Sequence, residues 1–253
     1  GSGASVSNTF NNAGTYTTTL TVTDNQGLQS TATVTITVES ASGGSGNTGD
    51  TGGTGGGSMP DGYYVTPNGS AYANGLSENS AWSLQHAFDV AKPGDVIYVK
   101  AGTYNNPDLV NYSGGSSSSK IKFIGYRSYP GDIDSYSAST FDYGQSISAS
   151  SMPLIQGATN TAGIGVDING SDVELHNFQI TNYKVGIEAK GDRILLKNVV
   201  VTNIGAQNTN NSQTGRGINI YGSGSRIENS FILNSNGHGI NVRGGSNNTI
   251  QHT

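Results

Sequence analysis

Four short segments place charged, aromatic and amide side chains at matched positions. Gly165-Val166-Asp167-Ile168, Gly186-Ile187-Glu188-Ala189, Gly217-Ile218-Asn219-Ile220 and Gly239-Ile240-Asn241-Val242 align with Gly-to-Gly spacings of 21, 31 and 22 residues. If each segment is a strand, its aliphatic side chains face inward and the residues between them face outward. Two outward columns follow: Asp167, Glu188, Asn219 and Asn241 in one, and Asn169, Lys190, Tyr221 and Arg243 in the other. A tyrosine ring can stack on a sugar, and lysine and arginine pair with carboxylates. Lys190, Tyr221 and Arg243 are therefore candidate substrate-binding residues, with Arg216 and His238 entering from the preceding turn. Asp167 and Glu188, one rung apart and so about 5 Å from each other, suit three tasks. They can pair with Lys190, hold calcium as candidate metal ligands, or act as the two carboxylates of a retaining glycosidase. The plainer alternative for the whole face is a solvated outer surface.

The elements that must position these residues are short repeated strands. A second strand recurs in phase with the first, as Val173-Glu174-Leu175-His176-Asn177, then Ile194-Leu195-Leu196-Lys197-Asn198, then Ile227-Glu228-Asn229, with Ile250 near the chain end. Asn177, Asn198 and Asn229 fall in one column, and Asn182, Asn203 and Asn234 in another. Stacked amides hydrogen-bond from rung to rung, so both columns are expected to hold turns. His176 and His252, close to the first column, are read as structural. The third rung carries about ten extra polar residues, from Gly205 to Arg216, and such an excursion belongs on the surface beside a groove.

Upstream, Leu84, Ala87, Phe88 and Ala91 have helical spacing, with Asn79 or Ser80 as the expected cap and Pro93-Gly94 as the stop. The helix is expected to cover the first open rung and to leave His86 exposed. Strands follow at Asp95 to Tyr104 and Lys120 to Tyr126. Before this region, residues 41–60 are almost all Gly, Ser, Thr and Asn, too polar to offset the entropy of ordering, and read as a linker. Residues 1–40 alternate apolar and polar, with Asp24-Asn25-Gln26-Gly27 as a hairpin turn between two runs. Three segments result: 1–40, 41–60 and 61–253.

Composition narrows the function classes. Twelve Lys and Arg against 17 Asp and Glu give a net charge of −5, which offers no footprint for nucleic acid or anionic lipid. No apolar run reaches the roughly 20 residues of a membrane span. The chain has no cysteine, so thiolate metal sites and thiol nucleophiles are excluded and any metal is expected to be held by oxygen. Thirty-eight glycines and only 11% charged residues fit short strands joined by tight turns.

Two resemblances emerge from these residues. Asn8-Thr9-Phe10, Ala13-Gly14-Thr15-Tyr16 and Leu20-Thr21-Val22-Thr23-Asp24-Asn25-Gln26-Gly27 resemble the closing strands of a PKD domain, an immunoglobulin-like sandwich common in secreted and surface proteins. The opening strands of that family are not in this chain, so a partial sandwich is expected. Tyr64-Val65-Thr66-Pro67-Asn68-Gly69-Ser70, the run from Lys92 to Tyr104 and the rung Gly239 to Thr249 resemble the right-handed parallel β-helix of pectate-lyase-like proteins, most closely the family-nine polysaccharide lyases. The expected fold is thus all-β: a partial PKD sandwich, then a right-handed parallel β-helix with a short capping helix. The resemblance implies a secreted protein that cleaves an acidic polysaccharide by β-elimination, with calcium as cofactor and a catalytic lysine. In that family the calcium-binding Asp cluster and the lysine lie on later rungs, so no catalytic residue is assigned here and the catalytic rungs are expected beyond Thr253. A non-catalytic adhesin or glycan-binding β-helix, or a glycoside hydrolase on the same scaffold, are the alternatives.

Overall fold

A computed structural model describes residues 14–38, 60–133, 147–206 and 215–253 of the chain, and the linker expected at 41–60 lies almost wholly outside them. The chain divides into two compact units, Gly1–Gly56 and Gly57–Thr253. In the first, strands Gly14–Thr23 and Gln29–Val38 form an antiparallel hairpin. Its turn is closed by Asp24, whose Oδ1 accepts the backbone N–H groups of Gln26 and Leu28 at 2.8 and 2.9 Å, while Gly27 takes φ +85°. This is the turn chemistry expected from Asp24-Asn25-Gln26-Gly27. Leu20, Val22 and Leu28 are more than half exposed.

The second unit is an all-β coil of parallel strands with three faces. One face is a five-stranded sheet built from Leu109–Asn111, Ile164–Ile168, Val185–Ala189, Gly215–Ile220 and Gly237–Val242, in that spatial order. The other two faces come from one larger sheet whose long strands, Val173–Thr181 and Leu195–Ile204, turn a corner midway. The first half of Val173–Thr181 pairs with Ile121–Tyr126 and its second half with Leu154–Gln156. In the following rung the same corner separates Arg226–Glu228 from Phe231–Ser235.

Asparagine makes the corner. Asn177, Asn198 and Asn229 have φ of 64°, 52° and 49°, and at the next corner Asn182, Asn203 and Asn234 have 67°, 53° and 56°. Asparagine tolerates this left-handed backbone better than other non-glycine residues. The amides also link the rungs: Asn198 Nδ2 donates to Asn177 Oδ1 at 2.8 Å and Asn177 Nδ2 to the Gly125 carbonyl at 3.1 Å. At the second corner Asn203 donates to Asn182 at 2.6 Å and Asn182 to the Gly157 carbonyl at 3.3 Å. Both asparagine columns hold turns, as expected. The third corner is made by Gly170, Gly191, Gly222 and Gly245, one above another. A Cβ on Gly191 would sit 2.1 Å from the Gly170 carbonyl oxygen, so no side chain fits there.

Inside the coil, Val166, Ile187 and Ile218 stack below Leu109, and all four are fully buried. The opening of the coil is covered by the helix Leu84–Val90, whose Phe88 stacks on Phe123 at 4.1 Å between ring centres. The helix cap differs from expectation. Asn79 and Ser80 belong to a separate short turn, Glu78–Ser80, and Ser83 caps the helix, its side chain accepting from the His86 N–H. Trp82, held by a hydrogen bond to the Ala73 carbonyl, separates the two turns. It also takes up His86, which is half-buried and edge-on to the indole at 5.2 Å instead of exposed. Among the described residues no helix is long and apolar enough to cross a membrane.

Candidate functional site

The outer face of the five-stranded sheet assembles as its register dictates. Glu188 pairs with Asp167 on one side and Asn219 on the other, and Asn219 pairs with Asn241. Because Ile168, Ala189 and Ile220 close each strand inward, the next residue emerges on the outer face. The backbone N–H groups of Asn169, Lys190, Tyr221 and Arg243 donate to the carbonyls of Asn111, Ile168, Ala189 and Ile220, at 2.8 to 2.9 Å. Both expected columns therefore exist, side by side.

Their chemistry is more connected than a solvated surface. Lys190 Nζ lies 2.7 Å from Asp167 Oδ2 and 2.9 Å from Glu188 Oε2. Asn219 Nδ2 donates to Glu188 Oε1 at 3.2 Å, and Asn241 Nδ2 to Asn219 Oδ1 at 3.1 Å. The result is a polar ladder over four rungs in which Asn219 is fully buried and Glu188 is 9% exposed. Burial by itself disfavours the Lys190 ammonium, but its hydrogen bonds to Asp167 and Glu188 outweigh that and raise its pKa above the ordinary lysine value. The Tyr221 hydroxyl reaches to 3.5 Å from Glu188 Oε1, and Arg243 sits over the tyrosine ring at 5.9 Å from its centre, within cation–π range.

Arg216 and His238 are strand residues, not turn residues. The ladder runs two positions further than the Gly-Ile pattern, pairing Arg216 with Val185 and with His238. Arg216 is half-buried, with Nε lacking a hydrogen-bond partner, and His238 is exposed. Neither Arg216 nor Arg243 forms a salt bridge among the described residues, and most of the excursion before Arg216 lies outside them.

Calcium coordinates six to eight oxygens, with carboxylates prominent among them. Of the four carboxylate oxygens of Asp167 and Glu188, two face the Lys190 ammonium and a third accepts from the Asn219 amide; only Asp167 Oδ1 has no partner. This donor set, with a lysine seated between its carboxylates, does not fit calcium. Among the described residues no group of three or more His, Cys, Asp or Glu is placed to hold a metal ion.

The sequence left one cluster unread. On another face Glu174, 6% exposed, is held by Lys120 Nζ at 2.7 Å and lies 3.3 Å from His176 Nε2. Burial disfavours the Glu174 carboxylate, but the Lys120 hydrogen bond and the nearby His176 and Lys122 prevail and lower its pKa. The strand alternation that sends Glu174 and His176 outward was legible. Lys120, ahead of its strand, was not. Next to it, Arg193 grips Asp172 through Nε and Nη2 at 2.9 and 2.7 Å, holding that carboxyl below the ordinary aspartate value despite burial.

Coiled parallel rungs, asparagine corners and a polar outer face define a parallel β-helix. More narrowly, the chain belongs to the family of Pel9A-like right-handed β-helix regions, which matches residues 63–253. Residues 1–39 match the PKD domain family. The chain is similar to Pectate lyase L of Dickeya chrysanthemi, with 51% identity over 45 residues that make up 18% of this chain and 11% of that protein. It is also similar to Pectate lyase L of Dickeya dadantii (strain 3937), with 44% identity over 45 residues and the same coverage. The crystal structure of pectate lyase Pel9A aligns at 20% identity with a TM-score of 0.42, covering 68% of this chain and 48% of that one. The chain thus spans less than half the length of that protein.

Proposed function

We propose that the chain is part of a secreted polysaccharide lyase acting on an acidic, uronate-containing polysaccharide by β-elimination, and that the outer face of the five-stranded sheet holds the polymer. The observation that carries this reading is the pairing of Tyr221 with Arg243 on a face where, among the described residues, Arg243 and Arg216 form no salt bridge. Aromatic surface for a sugar ring and unneutralised cations for uronate carboxylates are what such a polymer requires. Membership of the Pel9A-like family supports the lyase class.

β-Elimination removes the proton alpha to a carboxylate, so it needs a cation on that carboxylate and a neutral base. Lys190 is held charged by two carboxylates, which suits it to orient substrate and not to abstract a proton. The chain by itself is expected to give no unsaturated-product absorbance with pectate or alginate. Retaining hydrolysis by Asp167 and Glu188 is the weaker reading, because Lys190 fills the space a sugar would need between them. A non-catalytic glycan-binding role draws on the same Tyr221 and Arg243 face.

The test is mobility in a native gel containing pectate. The chain should be retarded, and the paired change Tyr221→Ala and Arg243→Ala should restore most of its mobility. Equal retardation of chain and variant would return this face to plain solvated surface.

A further inference from the structure

Resting on that reading, we infer that Tyr112 forms a second stacking subsite at the far end of the column that holds the polymer. The backbone ladder makes this assignment. The N–H groups of Asn169, Lys190, Tyr221 and Arg243 each donate to the carbonyl that ends the preceding strand of the sheet, at Asn111, Ile168, Ala189 and Ile220. The residue that follows each of those positions occupies an equivalent place. Tyr112 follows Asn111 as Asn169 follows Ile168, so it heads the column that continues through Asn169, Lys190, Tyr221 and Arg243. Alternation gives its direction. Leu109 and Asn111 are fully buried inside the coil, and the Tyr112 side chain is 80% exposed.

A single exposed tyrosine is ordinary on a protein surface. A tyrosine in register with a lysine, a second tyrosine and an arginine, all on one outer column, is a binding track. Neighbouring strands lie about 4.8 Å apart, so three steps separate the Tyr112 and Tyr221 backbones by about 14 Å. No single sugar spans that distance. A ligand that meets both rings must be extended, must offer sugar faces at its ends and must carry negative charge to meet Arg243. A linear acidic polysaccharide has that chemistry.

The test uses the intact chain, with binding measured by calorimetry to a long oligogalacturonate and to monomeric galacturonate. The long oligomer should bind and the monomer should bind far more weakly at equal sugar concentration. Tyr112→Ala should weaken the oligomer roughly fivefold, as expected for loss of one stacked ring, and Tyr112→Phe should restore it. The exposed position allows folding to be checked by an unchanged circular dichroism spectrum and melting temperature. If Tyr112→Ala binds the oligomer like the parent while Tyr221→Ala does not, the track stops short of Tyr112 and this inference fails alone. If neither variant changes binding, the assignment of the face to polysaccharide fails with it.

Discussion

Lys190 shows how a residue's task depends on its neighbours. On the sequence it was a cation facing outward, equally ready for substrate or for a carboxylate. In the fold its ammonium joins Asp167 and Glu188 at 2.7 and 2.9 Å, the first of the three tasks open to that carboxylate pair. Arg243, two strands on, keeps its charge available and lies over Tyr221. At the opposite end Asn111 carries the reverse problem: it is fully buried, and among the described residues neither Oδ1 nor Nδ2 has a partner. A buried amide left unpaired costs on the order of 1–3 kcal/mol. Asn111→Leu, which keeps the branch at Cγ, should therefore raise stability by about 1–2 kcal/mol, or roughly 2–4 °C in melting temperature per kcal/mol. A thermal melt checks this, and a lower melting temperature would mean that the amide is satisfied in solution. The outward residues were legible because alternation fixes their direction. The pairing of Lys190 with Asp167 and Glu188 was among the readings that alternation and rung spacing allow. The burial of Asn219 depended on side-chain reach across rungs, which spacing does not encode.

Among the elements, the asparagine corners separate two effects that usually travel together. Asn177 supplies a left-handed backbone at φ 64° and an amide that bridges Asn198 and the Gly125 carbonyl. Asn177→Gly should keep the backbone and lose the bridge, and Asn177→Ala should lose both. Alanine is expected to cost about 2–3 kcal/mol and glycine about 1 kcal/mol less. Urea unfolding of the two variants checks the order; equal losses would assign the corner's stability to the amide alone. These corners, the Gly-Ile strands and the hairpin turn at Asp24 were all visible in the sequence, since each rests on a residue type with one conformational use. The Gly170, Gly191, Gly222 and Gly245 corner was not singled out, because glycine is so frequent here that only contact with the carbonyl below distinguishes the required ones. The helix cap, Ser83, lies three or four residues beyond the expected Ser80 or Asn79 for a similar reason. Asn79, Ser80 and Ser83 are all competent caps, but the Glu78–Ser80 turn ends at Ala81, whose backbone is extended, and Ser83 alone of the three stands at the helix start.

At the scale of the molecule, the described residues of the β-helix present two charged outer faces, and the five-stranded sheet is the one assigned a ligand. The five-stranded sheet carries Tyr112, Lys190, Tyr221 and Arg243 in one column. The neighbouring face carries Lys122 and Lys197 around the Glu174 and His176 pair, a plain alternative for an acidic polymer. Hydroxyl-radical footprinting of the chain with and without pectate compares the two faces in one experiment. Protection concentrated on Tyr112 and Tyr221, with the Lys122 and Lys197 face unchanged, is the predicted result. Protection of the Lys122 and Lys197 face alone, or of neither face at saturating pectate, would contradict the assignment of the five-stranded sheet as the polysaccharide-binding surface.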